Sequence, residues 1–156
     1  MNDHRWSDVF RALESMTRFL SEAVRLFEEG GLEGGGRAAF QRQMVLMHTM
    51  ELGYTSFETA VVRAMTMLGE TPPTGPDWHA QLLVRAAAAI EGLRPPILPP
   101  DVARAATKVK SFRHWATRGY DSDFVASDAE AAVGAARDLL ANARPAFDGF
   151  AATIDP

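Results

Sequence analysis

The sequence predicts an all-α fold, an antiparallel helical bundle of about five helices in one domain. Three observations carry that expectation. Apolar residues recur three and four apart along every long stretch, Gly- and Pro-rich segments divide those stretches, and no stretch alternates polar and apolar residues as a strand would. At 156 residues the chain can bury a core within one domain, and 47% hydrophobic with 23% charged residues is the balance of a soluble globule.

The first helix is expected over about Asp3 to Glu29. Trp6, Val9, Phe10, Leu13, Met16, Phe19, Leu20, Ala23, Val24 and Phe27 form its apolar stripe. Arg11, Arg18 and Arg25 repeat every seven residues on another face, with Glu14, Glu22 and Glu29 in reach, which reads as a salt-bridged solvent face. Gly30-Gly31 ends the helix. The Gly34-Gly35-Gly36 run that follows lacks the Lys-Ser/Thr of a phosphate loop and has no strand before it, so it reads as a connection.

A second, long helix is expected from about Arg37 to Leu68. Phe40, Met44, Met47, Tyr54, Val61, Met65 and Leu68 make one stripe, and Leu46, Met50, Phe57, Ala60 and Ala64 an adjacent one. So broad an apolar face belongs in the middle of a bundle. Gly53 costs this helix about 1 kcal/mol and would permit a bend or a close crossing. His48 reads as a polar helix residue. Glu51 and Glu58, seven apart near Tyr54, read as a solvated face or as facing a site.

The Pro- and Gly-containing segment 69–76 is a stiff loop. Asp77 then suits an N-cap for a third helix over Trp78 to about Glu91, with Trp78, Leu82, Ala86, Ala89 and Ile90 inward. His79 lies in its first turn without a second metal ligand at suitable spacing. After the rigid connector from Arg94 to Pro100, a fourth helix starts near Asp101, turns Val102, Ala105, Val109, Phe112 and Ala116 inward, and ends near Gly119. Ser127-Asp128-Ala129-Glu130 is a capping box opening the last helix, whose stripe runs through Ala129, Val133, Ala136, Leu140, Ala143, Phe147, Phe150 and Ile154. Pro145 should kink that helix or break it near Arg144.

Composition removes several function classes. With no cysteine there is no disulfide framework, thiolate nucleophile or cysteine zinc site, which fits a reducing cytoplasm. No apolar run approaches the roughly 20 residues that span a bilayer, and Met1 to Trp6 has no apolar signal core; no membrane association and a cytoplasmic location are expected. The four histidines, at 4, 48, 79 and 114, are scattered, and no metal or other cofactor is expected.

The charge is uneven. The total is −4, yet from Arg94 to Arg118 six cations (Arg94, Arg104, Lys108, Lys110, Arg113, Arg118) face one acid, Asp101. The region reads either as a binding face for an anionic ligand or as a solvated helix side beside acidic neighbours. At its end, His114 and Arg118 are four apart, and Arg113, Thr117 and Tyr120 line an adjacent face. Guanidiniums clamp phosphate oxygens and an imidazole moves protons near neutral pH, which is chemistry suited to cleaving RNA. A helix end rich in arginine packed against acids has the same residue types.

The segment Phe112-Arg113-His114-Trp115-Ala116-Thr117-Arg118-Gly119-Tyr120 resembles the HEPN superfamily motif: arginine, a polar residue, a few spacers, histidine, one residue, tyrosine. Tyr54-Thr55-Ser56-Phe57-Glu58, Pro73-x-Gly75-x-Asp77-Trp78-His79-x-x-Leu82-Leu83 and Leu93-Arg94-Pro95-x-Ile97-Leu98 are similar to the HepT-like ribonuclease toxins, and the likeness runs over about residues 45 to 154.

The resemblance implies a homodimer whose two motifs meet in one composite, metal-independent RNA-cleaving site. It also implies a small nucleotidyltransferase (MNT-type) antitoxin as partner, which in related systems transfers AMP to the motif tyrosine, here Tyr120. Arg113 matches the motif arginine that holds the scissile phosphate, His114 the polar position, and Tyr120 the tyrosine; Arg104, Lys108 and Lys110 would add RNA contacts. The motif histidine falls at Arg118. An arginine stays protonated and cannot act as a general base. Three explanations stay open: Arg118 disables a toxin, the chain is a natural inactive relative that binds RNA or antitoxin, or His114 works in a shifted arrangement.

Overall fold

The computed structural model describes the backbone of residues 3–118 and 126–156, with the side chains of 4–112 and 127–156. Five helices form: α1 (Asp3–Glu29), α2 (Arg37–Met67), α3 (Trp78–Ala86), α4 (Pro100–Arg118) and α5 (Ala126–Ile154). Among the described residues there is no strand, only an isolated bridge between Ile90 and Arg94.

Long arginines fix the directions. Arg63 of α2 donates to the Asp8 carbonyl near the start of α1, and Arg42 donates to the Leu26 and Gly30 carbonyls at its end, so α1 and α2 form an antiparallel hairpin. At the other termini, the Trp6 indole N–H donates to Asp155 at 2.7 Å, and Arg137 of α5 reaches Glu28, which sets α5 antiparallel to α1. Helix α4 returns beside α5, where Lys108, Ser111 and Phe112 share a cleft with Asp128, Ala131 and Ala132.

The core draws on all five helices. Trp6, Leu13, Met16 and Leu20 meet Tyr54, Phe57, Val61 and Met65, with Leu82, Val109, Val133 and Phe147 closing the space. Phe57 packs edge-on against Phe147, and Trp6 edge-on against Phe150. Each such side chain contributes about 1.5–3 kcal/mol by leaving water. Gly53 allows a close crossing of α1 and α2: a Cβ there would collide with Leu20, whose Cγ lies 2.6 Å from that position. The arginine face of α1 is salt-bridged: Arg25 pairs with Glu22 and Glu29, Arg11 pairs with Asp8, and Arg18 lies over the Phe19 ring. Hydrogen bonding from Arg25 holds the Glu22 carboxyl below the usual carboxylate range.

Several expectations need correcting. Helix α3 stops at Ala86, not near Glu91, and Ala89 is exposed. The stop has a physical cause, because the N–H groups of Ile97 and Leu98 take the Ala86 carbonyl and the Arg94 guanidinium takes those of Arg85 and Ala88. The Asp77 side chain makes no capping bond to α3. Phe40 and Met44, assigned to the buried stripe of α2, are 58% and 41% exposed, because at this end of α2 the buried face runs through Ala39, Leu46 and Met50 instead. Ser127 lies inside α5, which begins at Ala126, an offset within the ordinary variation of helix ends. Helix α5 runs unbroken through Pro145; Pro145 and Ala141, whose carbonyl loses its usual N–H partner, are both exposed, so water can serve that oxygen. Ala116, expected inward, and Gly119, expected to end α4, fall where the side chain or the whole residue lies outside the described residues.

Candidate functional site

Helix α4 is helical as far as Arg118, so Arg113, His114 and Arg118 occupy its last turns, as their spacing requires. Their side chains, and Tyr120 altogether, lie outside the described residues. The cations before them are placed. Arg104 and Lys108 are exposed and Lys110 is half-buried. Arg104 and Lys110 border an apolar groove of about 370 Å³ between α3 and α4, floored by Ala80, Leu83 and Val84 from α3, by Ala87 just after it, and by Pro100, Ala103 and Thr107 from α4. Because Ile97 and Leu98 anchor the chain at the end of α3, α4 starts there and runs back along it. Antiparallel packing therefore sets the C-terminal half of α4 beside the N-terminal turn of α3.

Arg94 does not belong to this cationic face. Its side chain is fully buried, and all five of its N–H bonds are used, two on the Glu70 carboxylate at 2.7 and 3.0 Å and the others on the carbonyls of Arg85, Ala88 and Pro95. A bidentate buried pair of this kind fastens the loop after α3 to the end of α2; it offers nothing to a ligand. The anionic-ligand reading of the basic stretch thus rests on the residues from Arg104 onward.

Of the two readings of Glu58, the solvated face is corrected. Glu58 is buried, and its carboxylate meets Nδ1 of His79 at 2.5 Å. The His79 side chain keeps 27% of its surface exposed, and its ring stacks on Trp78 with centroids 3.8 Å apart. Helix α2 supplies the carboxylate from within its apolar face, between Phe57 and Ala60; α3 supplies the imidazole from the same side as Leu82, Leu83 and Ala86. A carboxylate cannot sit unpaired in such surroundings, and this was the available signal: a charge inside an apolar stripe demands a partner elsewhere in the chain. The identity of that partner, 21 residues away, could not be read from spacing.

Glu51 is half-buried and His48 exposed. Among the described residues no group of three or more His, Asp or Glu side chains is arranged to hold a metal ion, and no helix is long and apolar enough to cross a membrane. What the arrangement offers is a row of cations along α4 and, across the α3 boundary, an imidazole whose ring orientation is fixed by a buried carboxylate.

No curated protein and no solved structure matches the chain. The family described as HepT-like protein matches residues 45–154, a stretch from the second turn-group of α2 to the end of α5 that includes the α4 cations, the Glu58–His79 pair and the Arg94–Glu70 pair. The chain belongs to the HepT-like family of the HEPN superfamily, a family of HEPN-type toxin and ribonuclease modules.

Proposed function

We propose that this protein is the toxin of a HEPN/MNT toxin–antitoxin pair, a homodimeric and metal-independent endoribonuclease. Two copies of the α4 motif form one RNA-cleaving cleft. Arg113 holds the scissile phosphate, with Arg104, Lys108 and Lys110 guiding the strand and His114 and Arg118 completing the motif face. Tyr120 is the position an MNT-type nucleotidyltransferase antitoxin modifies with AMP. The family match across residues 45–154 carries this reading, since it takes in the motif and the surface that leads to it. Arg118 at the histidine position removes the motif's own proton carrier, which lowers its cleavage rate by about 10²- to 10⁴-fold. The exposed apolar cluster of Phe40, Met44 and Val45 on α2 supports self-association.

The substitution Arg118→His tests the reading. RNA cleavage in EDTA and growth arrest on expression should both rise at least tenfold, and Arg113→Ala should abolish them. A folded Arg118→His protein with neither gain counts against a toxin nuclease. The residue at 118 itself favours a second reading, a HEPN dimer that binds RNA or antitoxin without cutting. Steeply salt-dependent RNA binding with no cleavage even in Arg118→His would select it.

A further inference from the structure

We propose that the groove between α3 and α4 is a docking site for an acidic, amphipathic helix of a partner protein. Its walls repeat three and four residues apart, from Ala80 to Ala87 on one side and from Pro100 to Lys110 on the other. Two helix faces therefore leave a straight valley between them, about 15 Å long on the α4 side, or roughly three turns of a third helix. Small side chains at Ala80, Ala87 and Ala103 let a backbone approach closely. Val84 is 72% exposed, more than any other large apolar side chain among the described residues. A valine so placed adds little to this chain's own core, and a partner's apolar stripe would take it out of water.

Charge selects the occupant. Most described arginines are spent within the chain: Arg25 and Arg137 on carboxylates, Arg42 and Arg63 on carbonyls, and Arg85 of α3 on the Thr71 carbonyl at 2.5 Å. Arg104 and Lys110 have no hydrogen bond or ion pair among the described residues, and no acid lines the groove they border. They stand about 9 Å apart along α4, a span that carboxylates about six or seven residues apart on a docked helix would match. An apolar stripe flanked by such carboxylates meets the floor and both cations together.

Other occupants fit less well. The second exposed apolar cluster of this chain, Phe40, Met44 and Val45, lies in a stretch, 37–50, that holds Arg37 and Arg42 but no acid, so a second copy would bring like charge to the groove. An RNA strand would use the cations but leave the floor unmet, since no aromatic ring lines it for a base to stack on. Docking does not require RNA cleavage, yet it bears on it: a helix seated here withdraws Arg104 and Lys110 from the strand.

The test uses the full chain and a fluorescein-labelled helical peptide of about 14 residues, with leucines on one face and glutamates about seven apart beside them. Anisotropy should show saturable binding with Kd below about 200 µM, and methyl NMR should show the Val84 and Ala103 signals moving. Val84→Glu should weaken binding about tenfold or more, and Arg104→Gln with Lys110→Gln should weaken it about tenfold and remove its salt dependence. Peptides with lysine for glutamate, or with the stripe scrambled, should bind about tenfold more weakly or less. A weaker Kd for the acidic peptide, equal binding of the lysine peptide, or unchanged binding in Val84→Glu overturns the proposal. So does a fall in light-scattering mass in Val84→Glu, which would seat a second copy in the groove. So does loss of binding to a single-stranded RNA of about 12 nucleotides in Val84→Glu, which would give the groove to RNA. Ala80→Glu, also at an exposed position, takes the place of Val84→Glu if circular dichroism shows the latter misfolded. RNA cleavage is measured separately, so the ribonuclease reading and the docking site can each fail alone.

Discussion

Arg94 is where a single side chain holds most of the local structure. Its guanidinium stitches the Glu70 carboxylate to the carbonyls of Arg85 at the end of α3 and of Ala88 and Pro95 after it, with no exposure to water. Arg94→Ala would strand a buried carboxylate and free those carbonyls, and breaking one partner of such a pair costs about 3–5 kcal/mol. Urea unfolding should show a midpoint lowered accordingly with an unchanged slope; a loss under about 1 kcal/mol would mean the loop is held by something else. At this scale the sequence was only half legible. Arg94 read as one of six cations because charge counting cannot distinguish a guanidinium in solvent from one at the centre of a loop. Glu58 read as solvated for the same reason, its partner lying across an intervening loop. The lysines and Arg104 of α4, by contrast, are set by helical phase alone and are exposed or half-buried, Arg104 and Lys110 along the groove to α3 and Lys108 along the cleft to α5.

Elements are read more easily than residues because periodicity is a sum over many positions. Helices α1 and α2 fall almost on their expected bounds, and the inward stripe of α5 holds from Ala129 to Ile154 despite Pro145. Helix α3 fails to extend because tertiary partners take its last carbonyls, and no local pattern records them. Helix α2 shows the opposite error: Phe40 and Met44 keep the apolar period beside the buried face of Ala39 and Leu46 rather than on it. The crossing of α1 over α2 at Gly53 makes a sharp expectation. Gly53→Ala gains about 1 kcal/mol of helix propensity but overpacks against Leu20, at a cost of about 1–3 kcal/mol. The single variant should be no more stable than wild type. Adding it to Leu20→Ala should recover part of the loss caused by Leu20→Ala alone, and a double-mutant cycle with no coupling would show that the helices do not meet there.

For the whole molecule, the matched stretch begins at residue 45, yet α1 supplies Trp6, Leu13, Met16 and Leu20 to the same core as α2 and α5. The family-typical part and the N-terminal helix are one packed body. The proposed dimer has its own expectation: light scattering should give twice the chain mass, and Phe40→Glu with Met44→Glu should weaken self-association at least tenfold while leaving the helical signal intact. An unchanged mass would place the contact elsewhere. The overall architecture was legible because binary patterning decides it. The α4 cations were legible because they lie along one helix, and the Glu58–His79 pair, assembled across α2 and α3, was not.

The bond between the Trp6 indole and Asp155 brings the first turn of the chain against its last residues. A peptide of a few glycines and serines would therefore bridge the two ends, and new ends opened within the exposed glycines 34–36 would leave every helix whole. Such a circular permutant, reading α2 first and α1 last, should melt cooperatively within a few degrees of the parent. It would also carry a tag or fusion at the opposite pole from the present termini.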